Sequence, residues 1–402
     1  MERRKFIQMT AMAGLGLGMG SLPLRSAFAQ DDAADLFMVS AFSGPFAANG
    51  KYGEMGGRLA VKKLAAEIKR PVSYTTIDTQ GNVGVATRKV QEAIAQKNAR
   101  IFLGGALSSE ALAMSREIHK SNGLYITYVG ADEVTGKDCN KSTFRWSVPT
   151  YGAIHQTVVP VADLHPKAKR WYTITPQYVF GEGLLNNAKA VFKEKGIEHV
   201  GNSYHSLQEK EFSGYLANAV AAKADVLLVL NFSQQSTDTL RQLTNFGLKN
   251  KMQIVVAWSA GLDHFATLGA DICDGIYFGV QYWHAHDVPA NKEFVKLCRD
   301  NFKSAPTLFT AQDYSITTMA LKAIAKANST DPAKLIPVLE ALKWDGLTGE
   351  EQVRPFDHQV EKNYFLLRCK AKSKMRDADD YADVVSVGKS FVSPGQSECK
   401  FV

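Results

Sequence analysis

Apolar runs of strand length alternate with longer amphipathic stretches along most of this chain. The runs at 36–42 and 72–78 have the pattern of strands, and apolar residues at helical spacing follow each of them. Strands separated by helices at this interval form parallel βαβ units, whereas a sandwich would show short strands joined by tight turns. The pattern therefore predicts an α/β fold with parallel sheets. The other predicted elements in the first part of this pattern are strands at 100–104 and 124–129 and helices at 53–68, 83–97 and 108–119.

The same alternation starts again after Phe144 and Arg145, which indicates a second unit. The stretch 224–230 is almost continuously apolar, as expected of a strand with helices on both faces of its sheet. A chain of 402 residues exceeds one ordinary hydrophobic core, so we expect two domains. The remaining predicted strands are 170–175, 200–204, 253–257, 275–280 and 364–369, and the remaining helices are 183–195, 214–223, 236–247, 292–302 and 311–327.

The first thirty residues have the pattern of an export signal. Arg3 and Arg4 precede an uncharged segment rich in glycine, alanine and methionine, and small residues up to Ala29 offer a cleavage site. The segment ends at Pro23 and is therefore shorter than a permanent membrane helix, which needs about 20 apolar residues. We predict a twin-arginine signal peptide over 1–29 and a periplasmic location. A disordered start to a cytoplasmic protein is the alternative.

Charge and hydropathy exclude two other classes of protein. Cleavage after Ala29 would remove four basic residues and one acidic residue, which lowers the formal charge from +7 to +4. The remaining basic side chains are scattered among Asp and Glu and form no dense stripe, so we expect no nucleic-acid partner. No later apolar run is long enough to span a bilayer, and the mature chain is expected to be soluble.

Five cysteines lie in the mature chain, and an odd number cannot all pair within one molecule. None are close enough in sequence for a CxxC motif, which argues against structural zinc and against a thioredoxin-like redox pair. An oxidising compartment allows a bond between Cys369 and Cys399 that would tether the C-terminal tail, but the connectivity stays open. The other three cysteines are Cys139, Cys273 and Cys298.

Motifs for catalysis and cofactor binding are absent or misplaced. The GxGxxG-like pattern within 14–20 belongs to the predicted signal peptide and follows no strand, so it is not a dinucleotide site. His284 and His286 offer possible metal ligands without a clear partner, and Asp357 with His358 is better explained by a hydrogen-bonded turn. We therefore expect no cofactor, no bound metal and no enzymatic activity.

Several short segments between residues 34 and 370 form an ordered set. Each is weak alone, but their order and spacing make the set fairly specific. They are Ser43–Gly50, Asp78–Asn82, Leu103–Ser109, Phe144–Arg145, Gln177–Gly181, Phe212–Ser213 and Arg354–Gln359. Together they resemble the periplasmic solute-binding proteins of the branched-chain amino-acid (Leu/Ile/Val-binding) ABC-transporter family.

The resemblance implies a type I periplasmic-binding-protein fold. Two Rossmann-like lobes with parallel central sheets would be joined by a three-crossover hinge near Ser147, Tyr282 and Val353, with the ligand between them. The general rule that open α/β sheets bind ligands beyond the carboxyl ends of their strands favours the same place. The implied boundaries are 34–147 plus 283–352 for lobe 1, 148–282 plus 353–372 for lobe 2, and 373–402 for a C-terminal tail.

Ser108 is the leading candidate for a ligand contact. It follows a strand and a glycine pair at the start of a helix, so its hydroxyl and the free N–H groups of the first turn favour a carboxylate. The alternative is that Ser108 only caps its own helix, and Ser109 is a neighbouring donor. The resemblance adds strand-end residues of both lobes and an aromatic segment that closes on the ligand. These candidates are Asn49, Gly130, Ala131, Asp132, Tyr151, Tyr178, Phe180, Phe232 and Trp258, whereas Phe46, Trp171 and Trp344 are assigned to packing.

The predicted class of ligand rests on the absence of an acidic side chain where the family's amino-acid binders have one. Amino-acid binders of the family place an acidic side chain of lobe 2 opposite the ligand's ammonium group, but 257–261 contains none and Asp263 comes slightly late. A buried ammonium without an anionic partner costs several kcal/mol, whereas an aromatic lining favours a planar apolar body by about 25 cal/mol per Å². We therefore predict a small organic carboxylate, with an aromatic acid favoured over an amino acid. Asp132 or Asp263 could overturn this preference.

The expected role is capture of a small molecule. Contacts between the ligand and both lobes would favour a closed state, which the resemblance implies is presented to an ABC permease in the cytoplasmic membrane. One alternative is a ligand sensor of the same fold that acts on a receptor or regulator. The other is an exported enzyme, which the absence of a catalytic motif disfavours.

Overall fold

The computed structural model describes residues 33–401, so the predicted signal peptide lies outside the described residues. Five strands and three long helices come first, and the strands form one parallel sheet in the order β2-β1-β3-β4-β5. The strand predicted over 72–78 and the helix predicted over 83–97 are confirmed at both ends. These elements are β1 (Ala34–Ser40), α1 (Ala47–Leu64), β2 (Val72–Asp78), α2 (Val83–Lys97), β3 (Ile101–Gly104), α3 (Ser108–Lys120), β4 (Leu124–Thr127) and β5 (Thr143–Arg145).

A second alternation of helices and strands builds the other lobe. Its five strands are parallel, in the order β10-β9-β8-β6-β7. The elements are α4 (Thr150–Leu164), β6 (Arg170–Pro176), α5 (Val179–Lys195), β7 (Glu198–His205), α6 (Ser213–Ala221), β8 (Val226–Val229), α7 (Gln234–Asn245), β9 (Gln253–Ser259), α8 (Leu262–Leu268), α9 (Ala270–Cys273) and β10 (Tyr277–Val280).

The last third of the chain completes both lobes. Helix α11 packs along α1 on the first sheet, a small antiparallel sheet β11-β12-β13 follows, and β14 and β15 extend the second sheet antiparallel to β10. These elements are α10 (Pro289–Phe302), α11 (Leu308–Ala327), α12 (Pro332–Glu340), β11 (Lys343–Gly346), β12 (Gly349–Val353), β13 (Val360–Glu361), β14 (Tyr364–Cys369) and β15 (Ala382–Gly388).

Each central sheet is covered on both faces. In β8, Leu227 and Val229 pack into one apolar cluster, and Val226 and Leu228 pack into the cluster on the opposite face. Successive side chains of a strand point to opposite faces, which explains why this stretch is almost continuously apolar. The prediction that both faces of this strand are covered is therefore confirmed.

The chain passes between the two sheets after β5, after β10 and before β14. The passages are joined to one another by hydrogen bonds. The amide N–H of Val148 donates to Gln281 Oε1 at 2.9 Å, and Gln281 Nε2 donates to the Val148 carbonyl at 2.9 Å. The buried Lys362 Nζ donates to the Gln281 carbonyl at 2.6 Å, and burial lowers the pKa of Lys362 to about 7. The three connections therefore form one bonded hinge.

The third passage lies later in the chain than expected. Val353 and Val360 both pack in the core of the first lobe, so the chain leaves that lobe after β13 and not near Val353. The reason is the small antiparallel sheet, whose alternation is too short to be recognised as strands from the sequence.

The C-terminal segment is part of the fold. Strand β15 lies at the edge of the second sheet, and Cys399 then forms a disulfide with Cys139 on the first lobe. The bond between Cys369 and Cys399, which the sequence left as a possibility, does not form, because Cys369 ends β14 inside the core of the second lobe, where it contacts Cys273. Residues beyond 372 are therefore anchored to both lobes.

Within residues 33–401, none of the helices is both long enough and apolar enough to cross a membrane.

Candidate functional site

A chamber lies between the lobes, at the carboxyl ends of the parallel strands. It contains about 380 Å³ of space between atoms, including its opening. We call it the aromatic chamber, because six of its lining side chains carry aromatic rings. The lining consists of Asn49, Gly105, Ala106, Ser108, Tyr128, Val129, Gly130, Tyr178, Phe180, Phe232, Trp258, Phe309 and Gln312.

Ring contacts build one wall of the chamber and close it across the cleft. Phe180 meets Trp258 edge to face with ring centroids 5.1 Å apart. Phe232 of the second lobe meets Phe309 of the first lobe at 6.1 Å. A Cβ atom at Gly130 would lie 2.5 Å from the Phe180 ring, so only glycine allows the two lobes to approach this closely. The chamber is therefore enclosed by groups from both lobes.

The segment around Phe180 differs from the loop expected there. Helix α5 begins at Val179, four residues before the predicted start, which places Phe180 and Gly181 in its first turn. Gly181 packs against the end of β6, where a Cβ atom would meet the Pro176 carbonyl at 2.0 Å. This close approach fixes the Phe180 ring over the chamber, and Phe180 is 4 % exposed.

Ser108 lies at the chamber but does not cap its helix. Leu107 occupies the N-cap position, and its N–H donates to the carboxyl Oε2 of Glu110 at 3.2 Å. Ser108 is the first residue of α3, and its Oγ accepts a hydrogen bond from the N–H of Ala131 at 3.2 Å. The capping alternative for Ser108 is therefore wrong, and its hydroxyl hydrogen is available to a partner in the chamber.

A buried acid stands behind the start of α3. Glu110 is fully buried, and this burial raises its pKa, although hydrogen bonds from Thr79, Leu107 and Ala106 act in the opposite direction. A carboxyl group that is more easily neutral repels an anionic ligand less than an ordinary carboxylate would. The positive end of the α3 dipole thus stays usable for an anion.

The first-lobe side of the chamber is polar but uncharged. Asn49 is 2 % exposed, and within residues 33–401 its Oδ1 has no hydrogen-bond partner. The fully buried Asp313 lies beside Tyr128 and Gln312, and burial raises its pKa well above the ordinary value. This shift favours the neutral form of the carboxyl group, and Asp313 is not among the residues that line the chamber.

Ser109, Ala131, Asp132 and Tyr151 do not line the aromatic chamber. Asp132 Oδ1 accepts from the N–H of Tyr151 at 3.0 Å, and Oδ2 accepts from Asn187 Nδ2 at 2.7 Å. Asp132 and Tyr151 instead line a separate cavity between the hinge and the C-terminal segment. The carboxylate of Asp132 thus holds two protein donors in place, which explains its position outside the chamber.

A second, wider space is also lined by residues of both lobes and has about 990 Å³, which includes open solvent. We call it the outer chamber. Asp263 lies here, and burial raises its pKa while the charge of Lys51 on the opposite lobe lowers it. The lining consists of Phe42, Gly44, Pro45, Ala47, Ala48, Lys51, Tyr52, Ser233, Gln234, Thr237, Ala260, Asp263, His264 and Thr267.

Six lining residues of the aromatic chamber were not expected. Gly105 and Ala106 directly follow the predicted strand 100–104, and Tyr128 and Val129 are the last two residues of the predicted strand 124–129, so strand-end position could have identified them. Phe309 and Gln312 lie in the first two turns of α11, far along the chain from the other first-lobe residues. No local pattern marks them.

The packing residues and the histidine pair behave as ordinary structural groups. Trp171 is fully buried in the core of the second lobe, Phe46 is 4 % exposed, and Trp344 packs at the edge of the first-lobe core. The rings of His286 and Phe365 meet edge to face at 4.9 Å, and burial lowers the pKa of His284 to about 4. In the described part of the chain, no group of three or more His, Cys, Asp or Glu side chains has a spacing suited to a metal ion.

Comparison with known proteins agrees with this architecture. An amino acid ABC transporter substrate-binding protein from Pseudomonas fluorescens Pf-5 is 53% identical, with a TM-score of 0.88 over 92% of this chain and 99% of that one. A solute-binding protein from Rhodopseudomonas palustris BisB5, solved with 3,4-dihydroxybenzoic acid, is 20% identical, with a TM-score of 0.81 over 91% and 100% of the two chains. The second likeness shows the fold alone.

Sequence comparison gives the family. Leu/Ile/Val-binding protein homolog 4 of Brucella abortus is 28% identical over 259 residues, or 59% of this chain. The match spans 60% of that relative's own length. The sequence profile described as periplasmic binding protein matches residues 38–374, which is most of the chain. With two parallel sheets, a bonded hinge and a chamber between the lobes, the chain belongs to the periplasmic binding protein family and has its type I fold.

Proposed function

We propose that this protein is the extracytoplasmic solute-binding component of an ABC importer. It is exported with a twin-arginine signal, captures a small organic carboxylate between its lobes, and delivers it to a permease in the cytoplasmic membrane. An aromatic acid is the favoured ligand. The observation that supports this choice is the lining of the aromatic chamber, where the described residues combine six aromatic rings with uncharged polar groups.

The chamber offers separate positions for the two parts of such a ligand. The carboxylate meets the hydroxyl of Ser108 and the free N–H groups at the start of α3, while the ring packs against Phe180 and Trp258. Burial of about 100 Å² of ring surface contributes roughly 2.5 kcal/mol. Because these groups belong to different lobes, a bound ligand stabilises the closed arrangement relative to an open one.

An amino acid is the second candidate ligand. Asp263 faces the outer chamber and is the only acidic side chain among the described lining residues of the two chambers. An ammonium group that reached it would gain the anionic partner that the aromatic chamber lacks. The 53% identical P. fluorescens protein is also named for amino acids. Binding to aromatic carboxylates and binding to amino acids therefore have to be measured side by side.

The test is a calorimetric titration of ligand-free protein lacking residues 1–29 with benzoate, 3,4-dihydroxybenzoate, phenylalanine and leucine. We expect the aromatic acids to bind. Ser108→Ala should weaken them at least tenfold, because a hydrogen bond to a charged group contributes about 1.5–3 kcal/mol. Ser393→Ala, in a short turn outside both chambers, is the matched control and should leave affinity unchanged.

Two other results would change the conclusion. Binding confined to amino acids and lost in Asp263→Asn would keep the capture role but replace the aromatic acid by an amino acid. Absence of binding to all four compounds would contradict the proposal for this ligand class.

A further inference from the structure

A small apolar cluster of the first lobe is covered by two side chains of the second lobe. Its buried members are Ala41, Phe46 and Leu107, each at most 4 % exposed. Tyr178 and Leu207 of the second lobe pack against them and are themselves partly buried. We call these five residues the interlobe cluster. Because its members belong to different lobes, this apolar contact exists only while the lobes are together.

Leu207 contacts the first lobe without lining a ligand space. Neither Leu207 nor its first-lobe partners Phe46 and Leu107 belong to the described linings of the aromatic chamber and the outer chamber. Tyr178, by contrast, is part of the interlobe cluster and also lines the aromatic chamber. A substitution of Leu207 therefore changes the contact between the lobes and leaves the lining of both chambers as it is.

The loop that carries Leu207 is fixed to the second lobe. It connects β7 to α6, and hydrogen bonds from α7 hold it on both sides of Leu207. Gln235 Nε2 donates to the Ser206 carbonyl at 3.3 Å, and Gln242 Nε2 donates to the Lys210 carbonyl at 2.8 Å. These bonds lie within one lobe, so Leu207 moves with the second lobe when the lobes separate.

The first-lobe side of the interlobe cluster is also held in place. A Cβ atom at Gly81 would lie 3.2 Å from the Phe46 ring, so this ring packs closely on the backbone that follows β2. Leu107 occupies the N-cap position of α3. Separation of the lobes would uncover these side chains on one lobe and Leu207 on the other. Exposure of apolar surface to water is unfavourable, and the cluster therefore favours the closed arrangement.

Closure of the lobes and ligand affinity are linked. A ligand that contacts both lobes binds the closed arrangement, and its apparent Kd is the intrinsic Kd divided by the fraction of closed protein. A substitution that lowers this fraction raises the apparent Kd of every ligand by one common factor. A substitution that removes a ligand contact instead changes the Kd of different ligands by different factors.

We propose that Leu207 is a positioning residue for ligand capture, which holds the lobes together through the interlobe cluster and raises affinity without touching the ligand. The inference rests on the proposed function and deepens it, because it adds a determinant of affinity outside the chamber lining. The partners of Leu207 are apolar, so the role requires an apolar side chain at this position. Affinity should therefore fall in steps as residue 207 becomes smaller and then charged.

The experiment titrates wild type, Leu207→Ala and Leu207→Asp, each lacking residues 1–29, with benzoate, 3,4-dihydroxybenzoate, phenylalanine and leucine. We expect Leu207→Ala to weaken binding about fivefold, because part of the apolar contact is lost. Leu207→Asp should weaken it about 20-fold or more, because closure would press a carboxylate against apolar side chains. Each factor should be the same for every compound that binds.

Leu164→Asp is the matched control. Leu164 also belongs to the second lobe, is 52 % exposed, and lies outside the described linings of both chambers and outside the interlobe cluster. This variant should bind like wild type. Far-UV circular dichroism of all variants should match wild type, which separates a loss of closure from a loss of folding.

Small-angle X-ray scattering measures closure without a ligand. The radius of gyration of ligand-free Leu207→Asp should exceed that of wild type and of Leu164→Asp, because the lobes spend more time apart. An affinity of Leu207→Asp within twofold of wild type would overturn the inference. Factors that differ among the ligands would also overturn it, since they would show that Leu207 touches the ligand.

The failure of the proposed function can be told apart from the failure of this inference. If none of the four compounds bound to wild type, the proposed ligand class would be wrong, and the scattering comparison alone would decide the role of Leu207. A larger radius of gyration in Leu207→Asp would then support that role. Equal radii in the three ligand-free proteins would contradict it.

Discussion

The buried Asp313, which lies behind the aromatic chamber, should make the free energy of unfolding depend on pH. Its carboxyl group lies beside Tyr128 and Gln312, both of which line the aromatic chamber, and burial keeps it protonated when an exposed aspartate has lost its proton. The folded chain thus binds one more proton than the unfolded chain over this pH range. The free energy of unfolding then falls as pH rises, by at most about 1.4 kcal/mol per pH unit.

Asp313→Asn should remove this pH dependence while preserving the shape of the side chain. Below pH of about 4 the carboxyl group is protonated in both states, and above it the wild-type chain should lose stability relative to the variant. Urea unfolding between pH 4 and 8 measures the difference between the two proteins. The exposed Asp345→Asn serves as the control, and parallel curves for wild type and Asp313→Asn would contradict the assignment.

Individual residues also show where sequence reasoning stops. Asn49, Ser108 and Gly130 were expected at the site because they follow strand ends, and all three line the aromatic chamber. Asp132 has the same sequence position relative to a strand but holds Tyr151 and Asn187 instead. Strand-end position therefore predicts the neighbourhood of a residue, whereas the partner its side chain selects depends on groups distant in sequence.

Helices α1 and α11 cross so closely that glycine is required in α1. A Cβ atom at Gly56 would lie 2.0 Å from the carbonyl oxygen of Thr310, and one at Gly53 would lie 2.3 Å from Asp313 Oδ2. Because α1 carries Asn49 and α11 carries Phe309 and Gln312, this crossing determines how these chamber residues meet.

Gly56→Ala should destabilise the protein by about 1–3 kcal/mol, because the added methyl group overlaps a backbone atom that cannot rotate away. Gly214→Ala in α6 is the matched control. It lies in the first turn of α6 with no atom within 4 Å of the new methyl group, and should not destabilise the protein. Urea unfolding measures both, and a Gly56→Ala protein as stable as wild type would contradict the close crossing.

Most elements were predictable where their periodicity is strong. The predicted strand 364–369 has the same ends as β14, and helix α3 extends the prediction by one residue. The elements that were missed are short, or they have an apolar pattern without a clear period, as in α4, α12, β11 and β15. Periodicity arises when an element buries one face, so an edge strand or a helix buried on several sides carries little of it.

The disulfide gives the molecule a further connection between its lobes. Strand β15 belongs to the second sheet, whereas Cys139 lies on the first lobe, so the Cys139–Cys399 bond joins them beside the hinge. Between these points, Gln156 donates to Ser390 Oγ at 2.6 Å, and Arg354 donates to the Val392 carbonyl at 2.8 Å. The C-terminal segment is therefore held along its path across the hinge.

Cys399→Ser should lower the free energy of unfolding by about 2–4 kcal/mol, because it removes a crosslink that restricts the unfolded chain. Cys139→Ser should have the same effect, and the double variant should be no less stable than either single one, since all three lose one bond. Urea unfolding without reductant measures the three proteins. Additive losses, or no loss in Cys399→Ser, would contradict the pairing.

The α/β class, the two units and most strand and helix positions followed from the amino-acid sequence, because burial of one face imposes a local period on the chain. Three features did not follow from the sequence. They are the pairing of Cys399, the late position of the third crossover between the lobes, and the place of Phe309 in the lining of the aromatic chamber. Each depends on contacts between segments far apart in sequence, which leave no local pattern. Folding alone brought these distant groups into contact, since the path of the chain between its two sheets determines which strand ends and side chains become neighbours.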